Sequence, residues 1–270
     1  MKRLLRSLTI LVLAVLLPAA AASAQSREDA RLITATQVLG EMRGAPDESI
    51  PAWLLARAWG IAVIPDVIKG AFIFGARHGN GVLTVRDSAG RFSNPIFLSL
   101  TGGNVGFQAG AQQSDVVLVF ATRESVEDFA SGQFTLGATA SVAAGPVGRQ
   151  GEAAVGSTAE IYSYSRARGL FAGVALDGTR LRFETGTNKN FYGREVTAGD
   201  IISGRVNTTS ESARRFIAAV AASLPAGTAA VTTTTAVTTT PVPVSDGSSV
   251  HGSGTQSFPL EDSKPGSEPR

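Results

Sequence analysis

The sequence predicts an α+β fold: a glycine-rich, mostly antiparallel β-sheet or closed, barrel-like core, preceded by helices, closed by one helix and followed by a disordered tail. Three observations predict it. Apolar residues recur at helical spacing near the start and again at residues 213–224. Between them, short β-branched or aromatic runs are separated by many of the chain's 30 glycines. The last segment is rich in Thr, Pro, Ser and Gly and poor in large apolar groups.

The elements follow in order. Lys2, Arg3 and Arg6 precede an apolar stretch from Leu8 to Leu17, and Ala22-Ser23-Ala24 then fits a signal-peptide cleavage site. Residues 1–24 therefore read as an export signal, with a mature start at Gln25 and a periplasmic or secreted destination. Leu32, Ala35, Val38, Leu39 and Met42 mark one face of a first helix, which Gly44-Ala45-Pro46 breaks. A second, shorter helix is expected from Ile50 to Trp59. Ser49 would cap it, Pro51 suits its first turn, and Gly60 would close it.

Residues 61–205 read as mostly β. Strand candidates are Ile61–Ile64, Ala71–Phe74, Val82–Val85, Ile96–Leu100 and Val116–Phe120. Asp87-Ser88-Ala89-Gly90 reads as a turn and Glu124–Ala130 as one short helix. A hairpin is expected over 170–185, because Asp177-Gly178 is a favoured two-residue turn. Its register would set Arg180 opposite Ala175 and Arg182 opposite Gly173. Both guanidinium groups would then stand over small residues, as a phosphate contact or as a solvated face with Glu184 as partner. The final helix covers 209–224, with Thr208 and Glu211 as a capping box and Pro225 as its stop. The domains are thus 1–24, 25–224 and the tail 225–270.

Composition excludes several functions. The chain has no Cys, so disulfide frameworks, thiolate metal sites and Cys nucleophiles are excluded. Two His leave little room for a His metal site or triad, and no metal or cofactor is expected. His78 reads as a solvated turn residue. The net charge of +2 falls to −1 once Lys2, Arg3 and Arg6 are removed, a balance that does not suggest a nucleic-acid binder. No phosphate-cradling loop and no Gly-x-Ser-x-Gly elbow occurs. Gly102-Gly103-x-x-Gly106 reads as glycine in strands. Glu124, Glu127 and Asp128 read as a solvated helix face, so the chain reads as non-enzymatic.

Both tryptophans, Trp53 and Trp59, fall in one ten-residue segment whose sole charge is Arg57. Tryptophan suits a membrane–water interface, so this helix is read either as membrane-contacting or as packed against the sheet.

A set of motifs gives a family resemblance. Ile50-Pro51-x-x-Leu54-Leu55-Ala56-Arg57-Ala58-x-Gly60-Ile61-Ala62-Val63, Val67-Ile68-Lys69-Gly70-Ala71-Phe72, Gly79-Asn80-Gly81-Val82 and Arg91-Phe92-Ser93-x-Pro95 resemble the opening of the SYLF domain, a lipid-binding family. Gly106-Phe107-Gln108-Ala109-Gly110-Ala111, Asp115-Val116-Val117 and Phe191-Tyr192-Gly193 continue it, and Ala140–Arg149, Ile161–Ser165 and Gly169–Val174 match its exported bacterial branch. The likeness covers about residues 30–203. It implies binding of phospholipid or a membrane surface. Eukaryotic members are associated with phosphoinositides and fungal ones with actin, which has no place in a bacterial periplasm. Of two helix positions that carry lysine in the eukaryotic members, only Arg57 is charged here; the other is Trp59, which favours apolar insertion over a phosphoinositide contact. The candidate lipid-binding residues are Trp53, Arg57, Trp59, Lys69, Arg180 and Arg182. The function expected is that of a phospholipid or membrane-surface binder of the cell envelope. The alternative is a structural envelope protein that binds peptidoglycan or a protein partner.

Overall fold

A computed structural model describes residues 27–43, 50–71, 74–105, 110–132, 134–147, 159–167 and 170–225. They fall in the first of two compact units, Met1–Val231. The expected export signal, its cleavage site, the Gly44-Ala45-Pro46 break, Ser49 and the expected tail after Pro225 lie outside the described residues.

The architecture is α+β with a mostly antiparallel, strongly curled sheet and helices at both ends. Helix α1 covers 27–43 and buries Leu32, Ala35, Val38, Leu39 and Met42, the face its spacing predicts. Helix α2 is only Ala52–Ala56, with Pro51 at its N-cap and Arg57 at its C-cap. The expected extension to Trp59 fails because Trp59 already serves the sheet. Its N–H bonds the Phe120 carbonyl at 2.8 Å and its carbonyl accepts from Arg86 at 2.7 Å.

Strands β1 (Gly60–Ala71), β2 (Phe74–Val85), β3 (Ile96–Val105) and β4 (Gly110–Phe120) form the centre. The expected Ala71–Phe74 strand is instead the junction of β1 and β2, with 72–73 outside the described residues. Helix α3 (Arg123–Ser131) is capped by the Thr122 hydroxyl, which accepts from the Ser125 N–H. Short strands β5 (Phe134–Thr135) and β6 (Val142–Ala144) precede β7 (Ile161–Ala167), β8 (Leu170–Gly173) and β9 (Arg180–Phe183). The sheet order is β5-β9-β3-β2-β1-β4-β7-β6, with β8 also on β7. The order does not return on itself, so among the described residues the sheet is open and the closed barrel is not formed. Among the described strands, β6 and β7 pair in parallel.

The expected hairpin over 170–185 is not formed. Its turn exists: Gly178 has φ 71° and the Thr179 N–H bonds the Leu176 carbonyl at 3.0 Å. Yet β8 pairs with β7 and β9 with β3, at opposite margins of the sheet. A local turn rule cannot decide which edge each arm joins. This connection also forces the curl. Six strand spacings separate β9 from β8, about 29 Å if flat. The chain from Gly173 to Arg180 reaches at most about 25 Å. Residues 174–179 therefore cross the inside of a curled sheet. Val174 bonds Ser163 on β7, the Ala175 carbonyl accepts from Arg77 on β2, and Leu176 is buried in the inner core.

Strand alternation separates two cores. Outside the curl, Ile61, Val63, Val82, Phe97, Val117, Val119, Tyr162 and Tyr164 meet α1, α2 and α6. Inside it, Ala62, Ile64, Leu83, Leu98, Leu100, Leu118 and Leu181 meet Phe129, Phe134 and Ile201.

A bulge in β1 sets what faces outward beyond the cores. Pro65 and Asp66 together oppose Asp115, and Asp66 takes φ 53°. The bulge brings β1 so close to β2 that glycine is required there. A Cβ on Gly81 would lie 2.5 Å from Ile64 Cγ1 and 2.7 Å from the Val63 carbonyl, and one on Gly79 2.7 Å from Val67 Cγ2. The Gly79-Asn80-Gly81 motif is thus explained by packing.

After β9 come two helices that the β reading of 61–205 does not contain. Helix α4 (Thr185–Tyr192) is pinned by buried Asn188, whose amide donates to the Phe97 carbonyl at 2.8 Å and accepts from its N–H at 3.0 Å. Helix α5 (Ala198–Ile202) carries a Thr197–Asp200 capping box. Helix α6 (Glu211–Ser223) is capped by Ser210 rather than Thr208; the Ser210 hydroxyl accepts from the Ala213 N–H. Asp29 of α1 accepts from the Ser210 and Ser212 hydroxyls and so ties the first helix to the last.

Candidate membrane-facing surface

The outer face of the sheet continues past the helices as an open surface. One row crosses five strands: Arg180 pairs with Thr101, Thr101 with His78, His78 with Ile68, and Ile68 with Gln113. Directly paired residues project to the same face, so these side chains form one line. All five are exposed, and Ile68 keeps 59% of its surface in solvent. A second row sets Arg182 beside Ser99 and Ser99 beside Asn80. Toward the strand ends, Ala76 and Gly103 leave the face flat.

Arg180 and Arg182 stand two residues apart on one strand face, about 7 Å along it. With Ser99, Thr101, Gly102, Gly103 and Gly178 they line a groove of about 460 Å³. Among the described residues neither arginine has an ion-pair partner. The partner expected for a solvated strand, Glu184, is taken: it pairs with Arg31 of α1 at 2.7 Å. The arginines do not sit over Ala175 and Gly173, because β8 lies at the other margin. They flank serine and threonine hydroxyls instead, which adds donors for an oxyanion.

His78 is not in a turn but inside β2, with Nδ1 3.3 Å from the Thr101 hydroxyl. The stretch Gly75–Gly81 lacks apolar alternation, so its strand character is not visible in its letters. Ile68, Ser99 and Thr101 are also absent from the residues read as candidates; the signal for them lay in the β1–β3 alternation, once the bulge at Pro65-Asp66 is placed.

The other candidates are dispersed. Trp53 is half-buried against the outer core, edge-on to Tyr162 at 6.2 Å, and exposed Arg57 lies 5.7 Å from its ring. Trp59 is half-buried against the inner core, with Arg123 6.0 Å from its ring. The two tryptophans thus pack on opposite sides of the sheet and form no common apolar patch. Lys69 is not at their end, because nine residues of β1 separate it from Gly60, about 30 Å of strand. It lies on the inner face, opposite Arg77.

Sequence comparison names the family of this curled sheet with helices at both ends. The family model described as "Ysc84: Las17-binding protein actin regulator" matches residues 101–223. The SH3 domain-containing YSC84-like protein 1 of Xenopus laevis is 36% identical over 192 residues, covering 70% of this chain and 57% of that protein. Its human counterpart is 40% identical over 165 residues, 60% of this chain and 48% of that protein. LAS seventeen-binding protein 3 of Saccharomyces cerevisiae is 35% identical over 187 residues, 67% and 40% respectively. The chain belongs to the SYLF, or Ysc84, family. It spans about half the length of the curated relatives it matches. No solved structure matches it.

Proposed function

We propose that this chain is a non-enzymatic module that binds phospholipid membrane surfaces, and that it does so in a bacterial envelope after export and cleavage before Gln25. The observation that carries the reading is the pair Arg180 and Arg182. They are exposed, without ion-pair partners among the described residues, and set on a flat sheet face whose cross-strand row reaches exposed Ile68 three strands away. Guanidinium groups suit two-point contact with phosphate, and an exposed isoleucine suits the headgroup boundary. The leader-like Lys2–Ala24 supports export.

Co-sedimentation with vesicles tests it. The chain should sediment with phosphatidylglycerol-containing vesicles at low salt and release as salt rises, because exposed charges are screened over about 10 Å at 0.1 M. Absence of binding at low salt would refute the reading. A protein partner is the second reading, favoured because relatives carry the name Las17-binding. Peptidoglycan or protein binding by the same face would then replace lipid.

A further inference from the structure

The inner face of the curled sheet carries a second, separate cationic feature. Lys69 of β1 and Arg77 of β2 are direct cross-strand partners, and Arg77 is in turn paired with Gly102 of β3. Like charges placed directly opposite on a sheet repel. Among the described residues neither forms an ion pair that would offset this.

The arginine is held rather than free to swing away. A Cβ on Gly102 would lie 3.2 Å from Arg77 Cγ and 2.8 Å from the Thr179 hydroxyl, so the glycine makes room for the arginine stem beneath the 174–179 crossing. Arg77 Nη1 donates to the Ala175 carbonyl at 3.4 Å, a long bond. Its Nε is buried and has no hydrogen-bond partner among the described residues. Burial also pushes the guanidinium pKa below its ordinary value. On the other side of Lys69, its partner on β4 is exposed Gln112, whose amide adds further donors to the row.

A cross-strand pair of cations, one with an unpartnered buried donor and both without an ion pair among the described residues, offers an anion two charge-assisted contacts. We infer that Lys69 and Arg77, with Gln112 beside them, form a binding site for a phosphate group inside the open end of the curled sheet. The tetrahedral oxyanion would accept from the Lys69 ammonium and from the Arg77 guanidinium and would cancel their repulsion. The site lies on the face opposite Arg180 and Arg182 and does not depend on the membrane reading. Its phosphate can belong to a soluble ester or to a lipid headgroup.

Calorimetric titration of the full chain with inorganic phosphate, against chloride at matched ionic strength, tests it. Wild type should bind phosphate. Lys69→Gln, which removes a half-buried cation without touching the packed Arg77 stem, should weaken binding about tenfold, the loss expected for one charge-assisted hydrogen bond. Arg77→Gln should do the same where it folds. Arg91→Gln, which removes an exposed cation paired with Asp87 and outside both surfaces, should leave phosphate binding unchanged. Parallel co-sedimentation with phosphatidylglycerol vesicles distinguishes the source. Loss of vesicle binding in Lys69→Gln assigns the site to a lipid headgroup; its retention assigns it to a soluble phosphate. Failure of wild type to bind phosphate, or equal binding by wild type and Lys69→Gln, would overturn the inference.

Discussion

The carboxylate of Glu184 lies 2.7 Å from the guanidinium of Arg31, across 153 residues of sequence. Arg31 also stands 5.5 Å from the Phe97 ring. This link fastens α1 to the end of β9 and takes away the carboxylate nearest in sequence to Arg182. Glu184→Gln should therefore destabilise the fold by about 1–3 kcal/mol, since it leaves a largely buried cation short of its partner. Denaturant unfolding measures that loss. Unchanged stability would show that the pair holds nothing.

The β1 bulge makes a sharper demand. Gly81→Ala would drive a methyl against the Ile64 side chain and the Val63 carbonyl, and should cost about 1–3 kcal/mol by overpacking. Gly70→Ala is the control, because its Cβ would meet nothing within 4 Å. Equal stability of the two variants in a urea titration would remove the packing account of Gly79-Asn80-Gly81.

Trp53 and Trp59 were readable from sequence either as membrane anchors or as packing residues, and their placement on two cores favours packing. Trp53→Ala and Trp59→Ala should each destabilise by about 2 kcal/mol or more, since each empties an aromatic site against a core. Thermal unfolding followed by circular dichroism is the check. Variants with native midpoints that fail only in vesicle binding would restore the anchor reading.

Asp200 supplies a pH test. Hydrogen bonds from the Thr197 hydroxyl and backbone, then from Arg205, hold its carboxyl down at about 2. The folded value is depressed, so the contribution is present above the unfolded value of about 4 and is lost as pH falls toward 2. Wild type should thus lose thermal midpoint over that window by more than Asp200→Asn does. Parallel curves for the two would show that the α5 capping box adds no stability.

Much of the fold was legible because its signals are local. The face of α1 follows from the spacing of Leu32 to Met42, α3 from Glu124–Ala130, and strand cores from runs such as Val116–Phe120. What was not legible depends on distant partners. Asp177-Gly178 marks a turn, but only the edges of β7 and β3 decide where its arms pair. Helix α4 was hidden because Thr185–Tyr192 has weak helical spacing and is held by the Asn188 bonds to Phe97. At the site, Arg180 and Arg182 were found from sequence, although through a register that does not form. Ile68, Thr101 and Arg77 needed the bulge and the sheet order to be placed.

The most direct test of the membrane account is the affinity of Arg180→Gln/Arg182→Gln for phosphatidylglycerol-containing vesicles at low salt, set beside wild type. Both residues are exposed and unpaired among the described residues, so their loss should change stability by less than about 0.5 kcal/mol. The account predicts that wild type sediments with the vesicles and that the double variant, folded to the same thermal midpoint, stays largely in solution. Equal sedimentation of the two would contradict it.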